Sequence, residues 1–230
     1  MTQEQSIRAT FDIFKPDGVI EVRSMDGYTF SGYFKDRQRL VSELAKRDDK
    51  TWYFVMNDIN DACYSREQSE RILSKKGLKT TGDKEIEVIR WILIDADPER
   101  PAGVSSTDEE KAKSKETIKR VYKYLKQEGF SDPVVCDSGN GYHLLYSVDM
   151  NVDDADYTKK FLQTLDMLFS DEYVKIDTAV FNPARITKVY GTIARKGANT
   201  PERPHRASGF VYIPEEIKKN SIHLLKKVIS

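Results

Sequence analysis

The stretch WILIDADPERP, residues 91–101, decides how the chain is read. Four large apolar residues run into Asp95 and Asp97, and Pro98 and Pro101 break the run at once. A short apolar run closed by such breakers predicts a buried strand. Strand alternation puts Trp91, Leu93, Asp95 and Asp97 on one face, and Ile92, Ile94 and Ala96 on the other. A buried strand that ends in two carboxylates on one face needs something to offset their charge.

Working outward in the C-terminal direction, Thr107 and Glu110 have capping-box spacing. Ile118, Val121, Tyr122 and Leu125 then fall at helical spacing, and Gly129 marks the stop. PVVCD predicts a short strand, SGNG a tight turn and YHLLYSV the returning strand, so this pair is a hairpin. Asp153 or Asp154 can cap a second helix whose apolar face holds Tyr157, Phe161, Leu165 and Leu168. YVKIDTAVF predicts a fourth strand. The order β-α-β-β-α-β is the split ferredoxin-like unit, also called RRM-like. Its helices cover one sheet face and leave the other open. The first strand lies between the third and fourth, so the end of the first meets the starts of both. Asp95, Asp97, His143 and Asp177 are thereby expected on the open face.

Before this unit, GVIEVRSM and GYTFSGYF predict strands around a turn at Asp26 and Gly27. RQRLVSELAKR predicts a short helix, TWYFVMN a buried strand, and KKGLKTTGDKE a polar, basic loop. The predicted fold class is mixed α/β (α+β): an RRM-like core with an N-terminal α/β subdomain. The division expected is 1–89 for the N-terminal subdomain, 90–212 for the core and 213–230 for a C-terminal helix.

The chain has 230 residues, 39% hydrophobic and 32% charged, with zero net charge, an ordinary globular composition without a global basic field. No apolar run reaches membrane-span length, and the N-terminus has no signal pattern. Cys63 and Cys136 form no C-x-x-C pair, which argues against a zinc ribbon or a disulfide scaffold. The expectation is a cytoplasmic protein without membrane contact, whose nucleic-acid contacts would come from local patches.

Two aspartates at i and i+2 on a strand stand roughly 6–7 Å apart along the backbone, so both can reach one or two Mg²⁺ ions. Mg²⁺ is held by one or two carboxylates plus substrate phosphates. Two such ions clamp the attacking and leaving oxygens of nucleotidyl transfer, with Asp177 as a third ligand. The DSGNGYH turn exposes backbone N–H groups, and Ser138 and His143 add a hydroxyl and an imidazole suited to a triphosphate. Residues 184–208 cluster Arg185, Lys188, Arg195, Lys196, Arg203 and Arg206 against a lone acid, Glu202, a pattern suited to phosphate.

WILIDADPERPAG, PVVCDSGNGYHLLY, VKIDTAVFNPARITKVYGT and RKGANTPERPHRAS resemble the motifs of the archaeo-eukaryotic primase superfamily. The resemblance is to its primase-polymerase branch of plasmids, phages and CRISPR loci, over about residues 85–210. It implies template-directed synthesis of primers and DNA on single-stranded DNA from nucleoside triphosphates, with two Mg²⁺ or Mn²⁺ ions. It implies metal ligation by Asp95, Asp97 and Asp177, and triphosphate binding by Ser138, His143 and Lys188. Asn140 falls inside the second motif, where it would touch sugar or base. Arg185, Arg195, Lys196, Arg203 and Arg206 would face phosphates or the template backbone. Lys75, Lys76 and Lys79 of the basic loop are further candidate contacts to the template backbone. No zinc module or Walker A loop is visible; the resemblance implies an additional priming or helicase domain in a full-length protein, because relatives often continue into one.

Rival readings are a binding module for single strands that stacks bases on Tyr142 and Tyr146, and a metal-dependent nuclease or nucleotide cyclase. A rolling-circle initiator would want a His-x-His pair, which His143, His205 and His223 do not provide.

Overall fold

The computed structural model describes every residue except Asp26, so the turn expected there lies partly outside the described residues; Gly27 has a positive φ. In chain order the elements are α1 (Gln3–Phe14), β1 (Ile20–Ser24), β2 (Phe30–Phe34), α2 (Arg37–Ala45), β3 (Tyr53–Val55), β4 (Asp58–Ile59) and β5 (Leu73–Ser74). They continue with β6 (Ile86–Pro98), α3 (Asp108–Gln127), β7 (Val134–Asp137), β8 (Tyr142–Asn151), α4 (Ala155–Phe169) and β9 (Val174–Ile176). The last are β10 (Ile186–Lys188), β11 (Ile193–Ala194), β12 (Arg206–Ala207), β13 (Gly209–Tyr212) and α5 (Ile222–Ile229). The fold is mixed α+β with antiparallel sheets.

Strand β6 is the axis. At 13 residues it is long enough to pair with β8 along one edge and with two strands in succession along the other. Val88 and Ile86 pair with β4, and Ala96 to Pro98 pair with β9. β7 and β13 extend the sheet beyond β8. The predicted β-α-β-β-α-β order is therefore present from β6 to β9, with the first strand between the third and the fourth. Helix α3 starts at the predicted capping box, where Glu110 N donates to Thr107 Oγ1 and Glu110 Oε2 accepts from Thr107 N. Gly129 takes the positive φ of a helix stop. The buried face of α4 is Thr158, Phe161, Leu162 and Leu165. Leu168, expected there, is 54% exposed, because the helix turns that position outward.

The other face of the sheet is not open. Helix α1, which the sequence reading did not contain, closes with Phe14. Its ring meets Trp91 edge-on at 4.8 Å and Phe54 at 5.7 Å. Behind Phe54 stands a second sheet in the order β10-β3-β1-β2-β5. Strand β10 comes from the C-terminal half yet pairs with β3, Lys188 opposite Tyr53. Residues from both sides of position 89 therefore enter one hydrophobic core. Trp91 and Leu93 are buried by this roof; it stops short of Asp95 and Asp97. None of the described helices is long and apolar enough to cross a membrane.

Lys15, just past α1, is 1% exposed. Its ammonium donates to Asn57 O at 2.7 Å, with Asp58 at 3.8 Å. Burial pulls its pKa down to about 8, against the attraction of Asp58. The unfolded chain binds this proton more tightly, so the group lowers stability below pH 8 and the penalty lifts as pH rises toward 10.5. Comparing urea unfolding of the wild type with Lys15→Met between pH 7 and pH 10, the wild type is expected to gain up to about 3 kcal/mol relative to the variant. A pH-independent difference would mean that burial does not lower the Lys15 pKa.

Candidate active site

The roof and the end of β6 enclose a crevice of about 350 Å³. Ten of the sequence-predicted residues line it: Asp95, Asp97, Ser138, Asn140, His143, Asp177, Arg185, Lys188, Arg195 and Lys196. Arg100, Tyr53 and Thr187 line it too. Five cationic side chains thus face three carboxylates.

Asp95 stands opposite His143 in the β6–β8 register. His143 Nε2 lies 3.5 Å from Asp95 Oδ1, and His143 Nδ1 lies 2.8 Å from the Tyr190 hydroxyl. Asp97 accepts from Arg100 Nη1 at 2.8 Å. The Arg100 guanidinium is 5% exposed and also donates to Pro98 O and Val104 O, so it is a fixed countercharge. Burial alone would raise Asp95, but the His143 ring, Lys188 and Arg100 hold its carboxyl below the usual range. Burial and the charge of Asp95 push Asp97 up, against Arg100 and Lys196. One carboxylate of the pair is therefore the easier to ionise, as for any two that share a site.

Asp177 does not lie early in a strand. β9 is only three residues long, and Asp177 follows it. Its backbone N–H donates to Asp95 O at 2.9 Å, and its Oδ1 caps the next turn by accepting from Ala179 N at 2.8 Å. This is the usual local use of an aspartate at the start of a turn. The carboxylate borders the crevice, but among the described residues no three His, Cys, Asp or Glu side chains are gathered tightly enough to form an ion-binding cluster. The donor set of Asp95 and Asp97 fits a hard cation that takes one or two carboxylates and completes its shell with phosphate and water.

The β7–β8 turn is already satisfied. Gly139 N donates to Asp137 Oδ1 and Gly141 N to Ser138 Oγ, so these two N–H groups are not free for a ligand as expected. Asn140 Oδ1 accepts from Ser106 N at 3.0 Å and ties the turn to the approach of α3. Both glycines are dictated by contact: a Cβ on Gly139 would meet Ala194 Cβ at 2.5 Å, and one on Gly141 would meet Ala96 O at 2.5 Å. Ser138 Oγ serves as an acceptor here, which leaves its proton for a ligand.

The basic residues divide. Lys188 lies over the Tyr53 ring at 4.5 Å and donates to its hydroxyl. Arg185 is braced by Asn182 Oδ1 and Ala179 O, and Arg195 by Asp48 O. Arg203 and Arg206 do not line the crevice. Arg203 grips Glu110 with two hydrogen bonds of 2.8 and 2.9 Å, and Arg206 bonds Asp108 and Ser106 O. Both hold the first turn of α3, where acidic residues favour the helix terminus. Lys75 pairs with Glu67 and Lys79 with Glu85. Their loop, with Lys76, follows β5, at the opposite edge of the sheet from β10. Arg100 and Tyr190 were not singled out in the sequence; Arg100 nevertheless lies in the opening stretch, three residues after Asp97. Replacing Arg203 by Ala is expected to lower the urea midpoint, because both bonds to Glu110 are lost. An unchanged midpoint would mean that the pair does not hold the first turn of α3.

No protein-family model matches the chain, and no curated protein matches it in sequence. In three dimensions the chain is similar to the crystal structure of the primase RepB', over 98% of this chain and 62% of that one, with a TM-score of 0.53 and 10% identity. The chain thus spans 62% of the length of that structure. At this identity the likeness is one of fold: the chain has a primase-like α+β fold.

Proposed function

We propose that this chain is the nucleotidyl-transferring core of a primase-polymerase, acting on nucleoside triphosphates along a single-stranded DNA template. One observation carries the reading: a single crevice sets five cationic side chains beside three carboxylates, at the end of the central strand of a primase-like fold. A surplus of positive charge suits a polyphosphate, and a same-face aspartate pair suits the divalent cations that accompany it.

In this reading Asp95 and Asp97 hold one or two Mg²⁺ or Mn²⁺ ions, with Asp177 at their edge. Such ions supply Lewis acidity at the phosphoryl oxygens. Arg100 keeps Asp97 in place when no cation is bound. Ser138 Oγ–H, His143 and the Lys188 ammonium donate to the triphosphate, and Arg185, Arg195 and Lys196 stabilise charge on the departing pyrophosphate. A second groove of about 410 Å³ continues from Asp97 and Asp177 along Pro98, Glu99, Lys175 and Thr178, and offers a path for the strand that carries the 3′-OH. Asn140, Arg203 and Arg206 act by holding the turn and α3.

The reading as a stacking module has little support. Tyr146 is 1% exposed in the core, and Tyr142 is half-buried with Lys111 over its ring. Neither offers a free platform.

The test is synthesis on an unprimed single-stranded template with labelled nucleotides, repeated on a primed one. The wild type is expected to make products that chelation of the metal abolishes. Asp95→Asn and Asp97→Asn are each expected to lower the rate about 10²–10³-fold or more, and Lys188→Ala to lower kcat/KM about tenfold or more. Silence on both templates, with single-strand binding indifferent to the aspartates, would overturn the proposal. Template degradation instead of synthesis would favour a nuclease.

A further inference from the structure

Tyr190 is fully buried, so its hydroxyl must find its partners inside the protein. Its nearest is His143 Nδ1 at 2.8 Å; Thr187 Oγ1 lies at 3.5 Å, and the Cys136 thiol is another neighbour. The opposite ring nitrogen, Nε2, lies 3.5 Å from an acceptor, Asp95 Oδ1. A neutral imidazole carries its hydrogen on one nitrogen only. With the hydrogen on Nδ1, the Nε2 lone pair would face a carboxylate across 3.5 Å. With the hydrogen on Nε2, the ring donates toward Asp95 and Nδ1 accepts from the Tyr190 hydroxyl. Burial raises the Tyr190 pKa well above its ordinary value, so that proton is retained.

We infer that Tyr190 is a positioning residue that fixes His143 as its Nε2–H tautomer, so that the ring offers the crevice an N–H donor. When a triphosphate enters, this donor has a phosphate oxygen to turn to. That second step rests on the proposed nucleotide-binding reading; the tautomer does not. The orienting partner on the far nitrogen is what sets which nitrogen of a functional histidine carries hydrogen.

Tyr190 is itself held from several sides. Its ring packs on Phe210 at 5.2 Å and meets His143 edge-on at 6.0 Å. Its carbonyl accepts from Thr10 Oγ1 of α1. The following Gly191 has a positive φ, and a Cβ there would meet Gln3 O at 2.8 Å. The N-terminal helix, remote in sequence from the site, thus fixes the residue that orients His143.

The test uses the full chain labelled with ¹⁵N. The chain has three histidines, so comparison with His143→Gln assigns the ring signals. Long-range ¹H–¹⁵N correlation above neutral pH is expected to show hydrogen on Nε2 of His143 in the wild type. Tyr190→Phe keeps the ring packing and is expected to give a mixture of tautomers with little change in melting temperature. Its KM for the nucleoside triphosphate should rise about tenfold, the equivalent of one buried hydrogen bond, with a smaller change in kcat. Hydrogen on Nδ1 in the wild type, or an unchanged tautomer in Tyr190→Phe, would overturn the inference. A shifted tautomer with unchanged KM would overturn its link to the nucleotide. If the wild type makes no product at all, the proposed function fails while the spectra still decide the tautomer.

Discussion

Two carboxylates on one face of a strand repel each other, and the cost grows as water is taken away. The end of β6 does both to Asp95 and Asp97. What makes the arrangement tolerable is what the fold places beside each carboxylate: the nearly buried Arg100 guanidinium on Asp97 and the His143 ring beside Asp95. Each comes from a different constraint. Arg100 is local, three residues on, and locked by backbone carbonyls. His143 is brought by the β6–β8 register, and Tyr190 sets its ring. The end of β6 is therefore a charge pair held by groups that the fold itself supplies.

The roof over the first half of β6 depends on the same strand. Trp91 and Leu93 share a face with the aspartates, so whatever buries them stops just short of the carboxylates. Phe14 and the second sheet do this, and β10 joins that sheet while carrying Lys188 to the crevice. A crevice arises because the alternation of one strand changes from apolar to acidic at Leu93 and Asp95, while the roof follows only the apolar part.

Much of the core was legible because its signals are local. The capping box at Thr107 and Glu110, the stop at Gly129 and the hairpin around Gly139 and Gly141 each depend on a few neighbouring residues. Helix α1 also carries a local signal, with Ile7, Phe11 and Phe14 on one face and a capping box at Thr2 and Gln5. Asp177 lies beside Asp95 but caps a turn and is not in a strand, because an aspartate before Thr-Ala can end a strand by capping a turn. That Arg203 and Arg206 lie outside the crevice has another cause. Their partners, Glu110 and Asp108, lie on α3, and a pattern of basic residues does not say which of them the fold has already engaged. His143 could be named from its motif, whereas its dependence on Tyr190 appears only when β8 and the turn after β10 are brought together.

In the proposed function the carboxylate pair and the basic crevice act as one site for a divalent cation and a triphosphate. The most direct test is to add Mn²⁺ and a non-hydrolysable nucleoside triphosphate to the ¹⁵N-labelled chain and map paramagnetic broadening of the amide signals. Broadening is expected to centre on residues 95–97 and 138–143, to be strengthened by the nucleotide and to be lost in the double variant Asp95→Asn/Asp97→Asn. Broadening centred elsewhere, or persisting in that variant, would contradict it.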